Sequence, residues 1–206
     1  MVTIQEIRLV RSLACVCLDS GEKYWLRHED LPTSGLKEGM EYEPEALYRQ
    51  IRLLQYPRAL NLAVAMLARR PCSKGEIRSK LIIRRFSEEV ADLVILKLEK
   101  ENLLNDEDFC EQWIRCRLSR NYGPSLIRRE LRLKGIPDEL ICLVMERFPE
   151  ESCQENAVLL ARKAWKRVGP DAGLPAARQK VIAALVRKGY DWDTARSACE
   201  TAEKEQ

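Results

Sequence analysis

At 206 residues the chain has room for one or two compact domains, or for an array of smaller units. Hydrophobic residues make up 46%, charged residues 33% and aromatics 6%, which excludes a disordered or fibrous chain and favours helices with wide solvated faces. A net charge of +3 is too small to mark a nucleic-acid binder by itself, so the local distribution of charge has to decide.

Residues 1–43 read as a small β-rich element. The stretch ACVCLDSGEKYWL alternates apolar and polar positions on both sides of Asp19-Ser20-Gly21, the pattern of a hairpin with a glycine turn. LPTSGLKEGMEY, the next stretch, is rich in turn formers. From Glu45 the period becomes helical. A first helix is expected over Pro44 to Gln55, broken or restarted at Pro57, because proline removes a backbone donor and crowds the preceding turn. RALNLAVAMLARR, KGEIRSKLIIRRF and SEEVADLVILKLEKEN continue as helices. Ser73 with Glu76 has capping-box spacing, Ser87 suits an N-cap, and Asn102 suits a helix end.

The pattern then recurs in DEDFCEQWIRCRLSR, GPSLIRRELRLK and DELICLVMERF. Leu81 aligns with Leu131, Val90 with Leu140 and Val94 with Val144 at a constant offset. A looser third copy comprises ENAVLLARKAWKRV, AARQKVIAALVRKG and DWDTARSACETAE, with Gly189 matching Gly135 and Asp171-Ala172-Gly173-Leu174-Pro175 read as an inserted loop. Each copy reads as a three-helix unit. The divisions expected are 1–43, 44–106 with a helical linker and the first repeat, 107–152 with the second, and 153–206 with the third.

Charge alternates along these copies. Residues 69–85, 111–134 and 157–190 are strongly basic, and the segments after each are acidic. Stacked repeats could carry a basic stripe on one face and an acidic stripe on another, fitting a linear, charged partner. Ion pairing between packed helices is the plainer explanation of the same rhythm. The strongest functional signal is the basic cluster of the second and third units: Arg115, Arg117, Arg120, Arg128, Arg129, Arg132, Lys134, Lys163, Lys166 and Arg167. Few Asn, Gln, Ser or Thr residues lie among these cations, so contact with phosphate or an acidic protein surface is expected over base reading. Trp113, Trp165 and Trp192 read as core anchors rather than base-stacking platforms.

No catalytic constellation is expected. The only histidine, His28, lies in the β region with no nucleophile in view. Asn105-Asp106-Glu107-Asp108 reads as a helix cap with first-turn carboxylates opposing the helix dipole. Gly123-Pro124 reads as a helix start and resembles no phosphate loop. The cysteines at 15, 17, 72, 110, 116, 142, 153 and 199 form no CxxC pair, so small buried hydrophobes are expected, with no metal or cofactor. Cys15 and Cys17 suit one face of a strand. No segment reads as a signal peptide or membrane span, and a cytoplasmic, monomeric chain is expected.

LARRPCSKGEIRSKL, LLNDEDFCEQWIRCRL and GPSLIRRELRLKGI together resemble the RecX family, regulators of the bacterial RecA recombinase. The resemblance rests on Ser73, Glu76 and Ile77; on Leu103, Leu104, Asn105, Asp106 and Phe109; and on Gly123, Ile127, Glu130, Leu131, Lys134, Gly135 and Ile136. It covers roughly residues 58–150 and loosens over the third repeat. GLKEGMEY looks like the β extension of some family members. Asn102 departs from the family's usual glycine, and Gly169 to Pro175 is an insertion. The resemblance implies an all-α fold of tandem three-helix repeats in an elongated curved array, with a short β-hairpin-like N-terminal element. It also implies a non-enzymatic modulator lying in the groove of the RecA–DNA filament, usually limiting filament growth and recombinase activity, with weak, non-specific single-stranded DNA contact. A helix-turn-helix DNA-binding module and a helical protein adaptor are the alternatives.

Overall fold

A computed structural model describes residues 1–168 and 173–205. Its chain divides into two compact units, Met1–Asn105 and Asp106–Gln206.

The first unit begins with β1 (Val2–Val10), β2 (Leu13–Leu18) and β3 (Lys23–Arg27). A single helical turn, α1 (Leu31–Ser34), leads to a short β4 (Glu41–Tyr42). The four strands form one sheet in the order β3-β2-β1-β4. The expected hairpin is β2–β3, with Ala14 opposite Leu26 and Val16 opposite Tyr24. The longest strand, β1, has no clean alternation in sequence, because its register with β2 shifts between Ile4 and Glu6. A bulge inserts one residue and swaps the faces of the residues beyond it, so an even-spaced apolar pattern does not survive it. Cys15 and Cys17 share one face of β2, with their sulfurs 3.8 Å apart.

The helix α2 (Pro44–Leu67) corrects the expected break at Pro57, since it runs through that residue. Proline deletes one helical hydrogen bond. Packing on both sides of it holds the helix together. Leu47 and Ile51 bury against the sheet residues Ile4, Val16, Leu18 and Leu26. Ala59 and Ala63 bury in a second core with residues of α3 (Lys74–Ile83) and α4 (Glu88–Lys100), including Ile77, Leu81, Val90, Val94 and Leu98. Gln55, fully buried at the changeover, donates to the Trp25 carbonyl at 2.9 Å and accepts from the Ser87 amide at 2.9 Å, so its burial leaves no amide atom unpaired. The second half of α2 thus completes the first three-helix repeat. The Ser73–Glu76 capping box and the Ser87 cap both form.

The second unit holds two further repeats. One comprises α5 (Asp106–Leu118), α6 (Pro124–Leu133) and α7 (Asp138–Met145). The other comprises α8 (Glu150–Trp165), α9 (Leu174–Arg187) and α10 (Trp192–Lys204). Of the expected 171–175 loop, residues 171 and 172 lie outside the described residues, and Leu174 and Pro175 already belong to α9. The second repeat packs around Ile114, Ile127, Leu131, Ile141 and Val144. The third closes on many small side chains, Ala157, Ala161, Ala177, Ala195, Ala198 and Ala202, with Trp165, Val181, Leu185 and Tyr190 as its larger members. Trp192, the first residue of α10, lies outside this core. It is 59% exposed and corrects the expectation of a third tryptophan anchor. Cys116 and Cys142 are likewise exposed, not buried, because each falls off the buried stripe of its helix.

The helix ends repeat more closely than the cores do. After α3, α4, α5, α6 and α9 the backbone turns left-handed at Arg85, Asn102, Asn121, Gly135 and Gly189. At each, two amides return to carbonyls of the last turn, as in Gly135 to Arg132 at 2.9 Å and Ile136 to Leu131 at 3.1 Å. Asn102, where the resemblance implies a glycine, makes the same closure to Glu99 at 2.9 Å, with Leu103 to Leu98 at 2.9 Å.

Candidate functional site

The ten cations singled out in the sequence have different surroundings. Arg117 pairs with Glu130 at 2.6 Å, and both side chains are mostly buried. The same Glu130 accepts from the Trp113 indole at 3.0 Å, and the Arg117 guanidinium lies 4.3 Å from the Trp113 ring centroid. The Lys134 ammonium is 4.0 Å from that ring. These contacts make a cation–π cluster that fixes α5 against α6. They also occupy Trp113, which is therefore no platform for a base. Arg115 pairs with Glu111 at 2.5 Å, and Arg132 with Asp138 at 2.6 Å, both on the exposed surface.

Arg120, Arg128, Arg129, Lys163, Lys166 and Arg167 have no ion-pair partner among the described residues. Three of them come together. Arg120, just past α5, faces Lys163 and Arg167 near the end of α8 across a groove of about 700 Å³. Lys180, Arg187 and Lys188 of α9 complete the lining, with Leu160, Ala164, Val168, Val181 and Ala184 between them. Six cations and no carboxylate line this groove. The Lys188 ammonium is 4.0 Å from the Tyr122 ring centroid, which ties α9 to the end of α5. Arg187 and Lys188 close α9, and Lys163 lies in the last turn of α8, where cations also answer the helix dipole. Lys180, in the body of α9, has no such local reason.

Arg128 lies elsewhere. It lines a separate cavity with Pro124, Met145, Phe148 and Tyr190. Arg129 and Lys166 are exposed and line neither space. Sequence reading missed Lys180, Arg187 and Lys188. Their basic character was visible, but only the folded second unit places α9 opposite Arg120.

Two other cations of the third repeat are used internally. Arg178 holds Glu203 at 2.8 Å, and Arg162 holds Glu205 at 2.5 Å. The hydrogen bond from each guanidinium keeps its carboxyl below the usual carboxylate range. Two of the thiols, Cys15 and Cys110, are poor nucleophiles, because burial pushes them up to about 11. Among the described residues no group of three or more His, Cys, Asp or Glu side chains could hold a metal ion, and no helix is long and apolar enough to cross a membrane.

The models of the first, second and third three-helix domains of RecX match residues 59–98, 105–145 and 150–199. A regulatory protein RecX from Stenotrophomonas maltophilia strain R551-3 is 31% identical over 170 residues, which cover 82% of this chain and 93% of the relative. One from Bacillus mycoides strain KBAB4 is 28% identical over 189 residues, 90% of this chain and 70% of the relative. A crystal structure of regulatory protein RecX superposes with a TM-score of 0.65 at 23% identity, covering 99% of this chain and 100% of that one. RecX from Lactobacillus salivarius gives 0.65 at 22% identity over 73% of this chain and 97% of its own. The three tandem domains, their shared helix closures and these likenesses lead to one conclusion: the chain belongs to the RecX family of regulatory proteins.

Proposed function

We propose that this chain binds the RecA–DNA filament and restrains it, acting as a cytoplasmic monomer without catalysis of its own. Membership of the RecX family supports a RecA partner. The observation that carries the contact is the carboxylate-free groove of the second unit, with Arg120, Lys163, Arg167, Lys180, Arg187 and Lys188 on its walls. Flexible cations on rigid helices suit a phosphate backbone or an acidic protein surface, and they carry no base-specific geometry. Arg115, Arg128, Arg129, Arg132 and Lys166 extend the proposed contact surface. Arg117 and Lys134 support it from within, through Trp113.

The test is ATP hydrolysis by the cognate RecA on single-stranded DNA, with this protein titrated in. Hydrolysis is expected to fall at substoichiometric protein, and the fall to weaken steeply with added salt. Lys163→Glu with Arg167→Glu is expected to abolish it while helicity is unchanged. Unaltered hydrolysis at saturating protein, with bare DNA still bound, would overturn the filament reading and favour a DNA-binding module instead.

A further inference from the structure

The basic groove of the second unit has a floor as well as charged walls. Leu160 and Ala164 of α8, Val168 just past it, and Val181 and Ala184 of α9 lie between the six cations. Val181 is buried in the core of the third repeat, and the other four are half-buried, so their outer atoms meet the groove. A phosphate backbone has no use for such a floor. Its oxygens are strongly hydrated and gain nothing from aliphatic carbon. Single strands that bind without base reading stack their bases on aromatic rings. Among the described residues no Trp, Tyr or Phe lines this groove. Trp165 is only 7% exposed, and the Tyr122 ring is engaged by the Lys188 ammonium at 4.0 Å.

The spacing of the lining residues suits another helix. Positions 160, 163, 164 and 167 recur at steps of three and four, as do 180, 181, 184, 187 and 188. Each set is therefore one face of its helix, about two turns or roughly 12 Å long. Two such faces side by side form the trough into which a third helix packs its apolar side chains. Arg120, Lys163, Arg167, Lys180 and Arg187 are exposed along it, with no carboxylate among the described lining residues. Lys180 carries the charge to the far end of the α9 face, more than a turn from Arg187 and Lys188. Charge complementarity then asks for a partner that is acidic over the whole length.

We infer that the groove is a docking site for an acidic amphipathic helix of a protein partner. Two or three of its apolar side chains rest on Leu160, Ala164, Val168 and Ala184, and its carboxylates meet the six cations. This inference rests on the groove being the contact surface of the proposed function, and it names the chemistry met there as protein rather than nucleic acid.

The probe is a labelled synthetic helix of Glu and Leu, with Leu at alternate steps of three and four, titrated with the full chain by fluorescence anisotropy. The controls are the same peptide with Ser for Leu and an oligothymidine of equal charge. The Leu peptide is expected to bind at least about tenfold tighter than either control, the return from burying one or two leucines. Ala184→Gln, which lays a polar side chain on the floor and removes no core atom, should weaken the Leu peptide about tenfold and leave both controls unchanged. Lys163→Gln with Arg167→Gln should weaken all three. Leu160→Gln is the second floor variant should Ala184→Gln not fold by circular dichroism. Equal binding of the Leu and Ser peptides, tighter binding of the oligothymidine, or indifference to both floor variants would overturn the inference and leave a site for charge alone. RecA-dependent ATP hydrolysis separates this failure from that of the proposed function. Inhibition kept in full by Ala184→Gln sinks the apolar contact and leaves the filament reading standing. Failure of the parent chain to inhibit sinks the filament reading, and the peptide titration still decides the groove.

Discussion

Gly123 joins the second repeat to the third, and replacing it with alanine tests that joint. Its amide donates to the Lys188 carbonyl at 2.8 Å, and the Ser125 amide donates to the Gly189 carbonyl at 3.0 Å. The end of α9 thus abuts the beginning of α6, carbonyls against amides. A Cβ on residue 123 would sit 2.4 Å from the carbonyl carbon and oxygen of Gly189 and 2.5 Å from the Tyr190 nitrogen. These are backbone atoms and cannot swing aside. Restoring ordinary contact needs about 1 Å of separation, which stretches both hydrogen bonds past about 3.7 Å, beyond useful length. Losing two partly buried backbone bonds costs about 1–1.5 kcal/mol each, with more for donors left unpaired. The expected loss is about 2–4 kcal/mol. The backbone of Gly123, at φ −81° and ψ 160°, already suits alanine. Without the contact, the substitution would stabilise the fold by about 0.4–1 kcal/mol through the unfolded state. The sign of the change therefore reports the joint alone. Urea unfolding monitored by circular dichroism, with hydrogen exchange at the Gly123 and Ser125 amides, measures it. A variant as stable as the parent, with both amides still protected, would refute the reasoning.

Other expectations use the same unfolding assay. Arg117→Gln removes the Glu130 pair and the stack on Trp113 and should cost about 1–3 kcal/mol, whereas Arg129→Gln on the open surface should stay within about 0.5 kcal/mol. Tyr190→Phe deletes a hydroxyl with no hydrogen-bond partner among the described residues and should leave the protein unchanged or about 1 kcal/mol more stable; a clear loss would show that the hydroxyl is bonded. Asp191→Ala removes the cap of α10 and should cost about 1 kcal/mol near neutral pH. The hydrogen bond from the Thr194 amide lowers the Asp191 carboxyl in the folded state, so its contribution is present above the unfolded value of about 4 and is lost as pH falls below that. The parent should therefore lose more stability than the variant between about pH 5 and about pH 2, and parallel curves would contradict the assignment.

How legible the fold was depends on which signals are local. The repeat showed in sequence because each second helix ends in the same closure and its buried spine is short, Leu81 and Leu131 being fully buried in equivalent places. The closure even tolerates Arg85 at the position of Gly135, where an arginine gives no hint of a left-handed turn. Signals that depend on distant packing failed. Pro57 reads as a break until two cores are found gripping α2 on either side of it. The alternation of β1 is spoiled by its own bulge. Trp192 is large and apolar like an anchor, but it stands at the first position of α10, outside the core that Trp165 and Tyr190 enter. Half of the groove was equally hidden, since Lys180, Arg187 and Lys188 become neighbours of Arg120 only once the second and third repeats are joined.

The charge rhythm has two sources, and the structure separates them. In every repeat a cation of the second helix pairs with an acid of the third: Arg78 with Glu88 and Asp92 at 2.8 Å, Arg132 with Asp138 at 2.6 Å, and Arg178 with Glu203 at 2.8 Å. These pairs are exposed, and each contributes about 0–1 kcal/mol, so they account for the alternation without making it a source of stability. They also neutralise much of the basic stripe that the sequence suggests. A partner meets the remainder after that pairing. On the second unit the remainder concentrates where α5, α8 and α9 bring six cations to one groove without a carboxylate among them. A net charge of +3 conceals this, because carboxylates elsewhere in the chain balance the total while none lines the groove beside its cations. The same geometry sets the response to screening. The paired surface should change little with salt, and the groove should lose the proposed partner as salt rises.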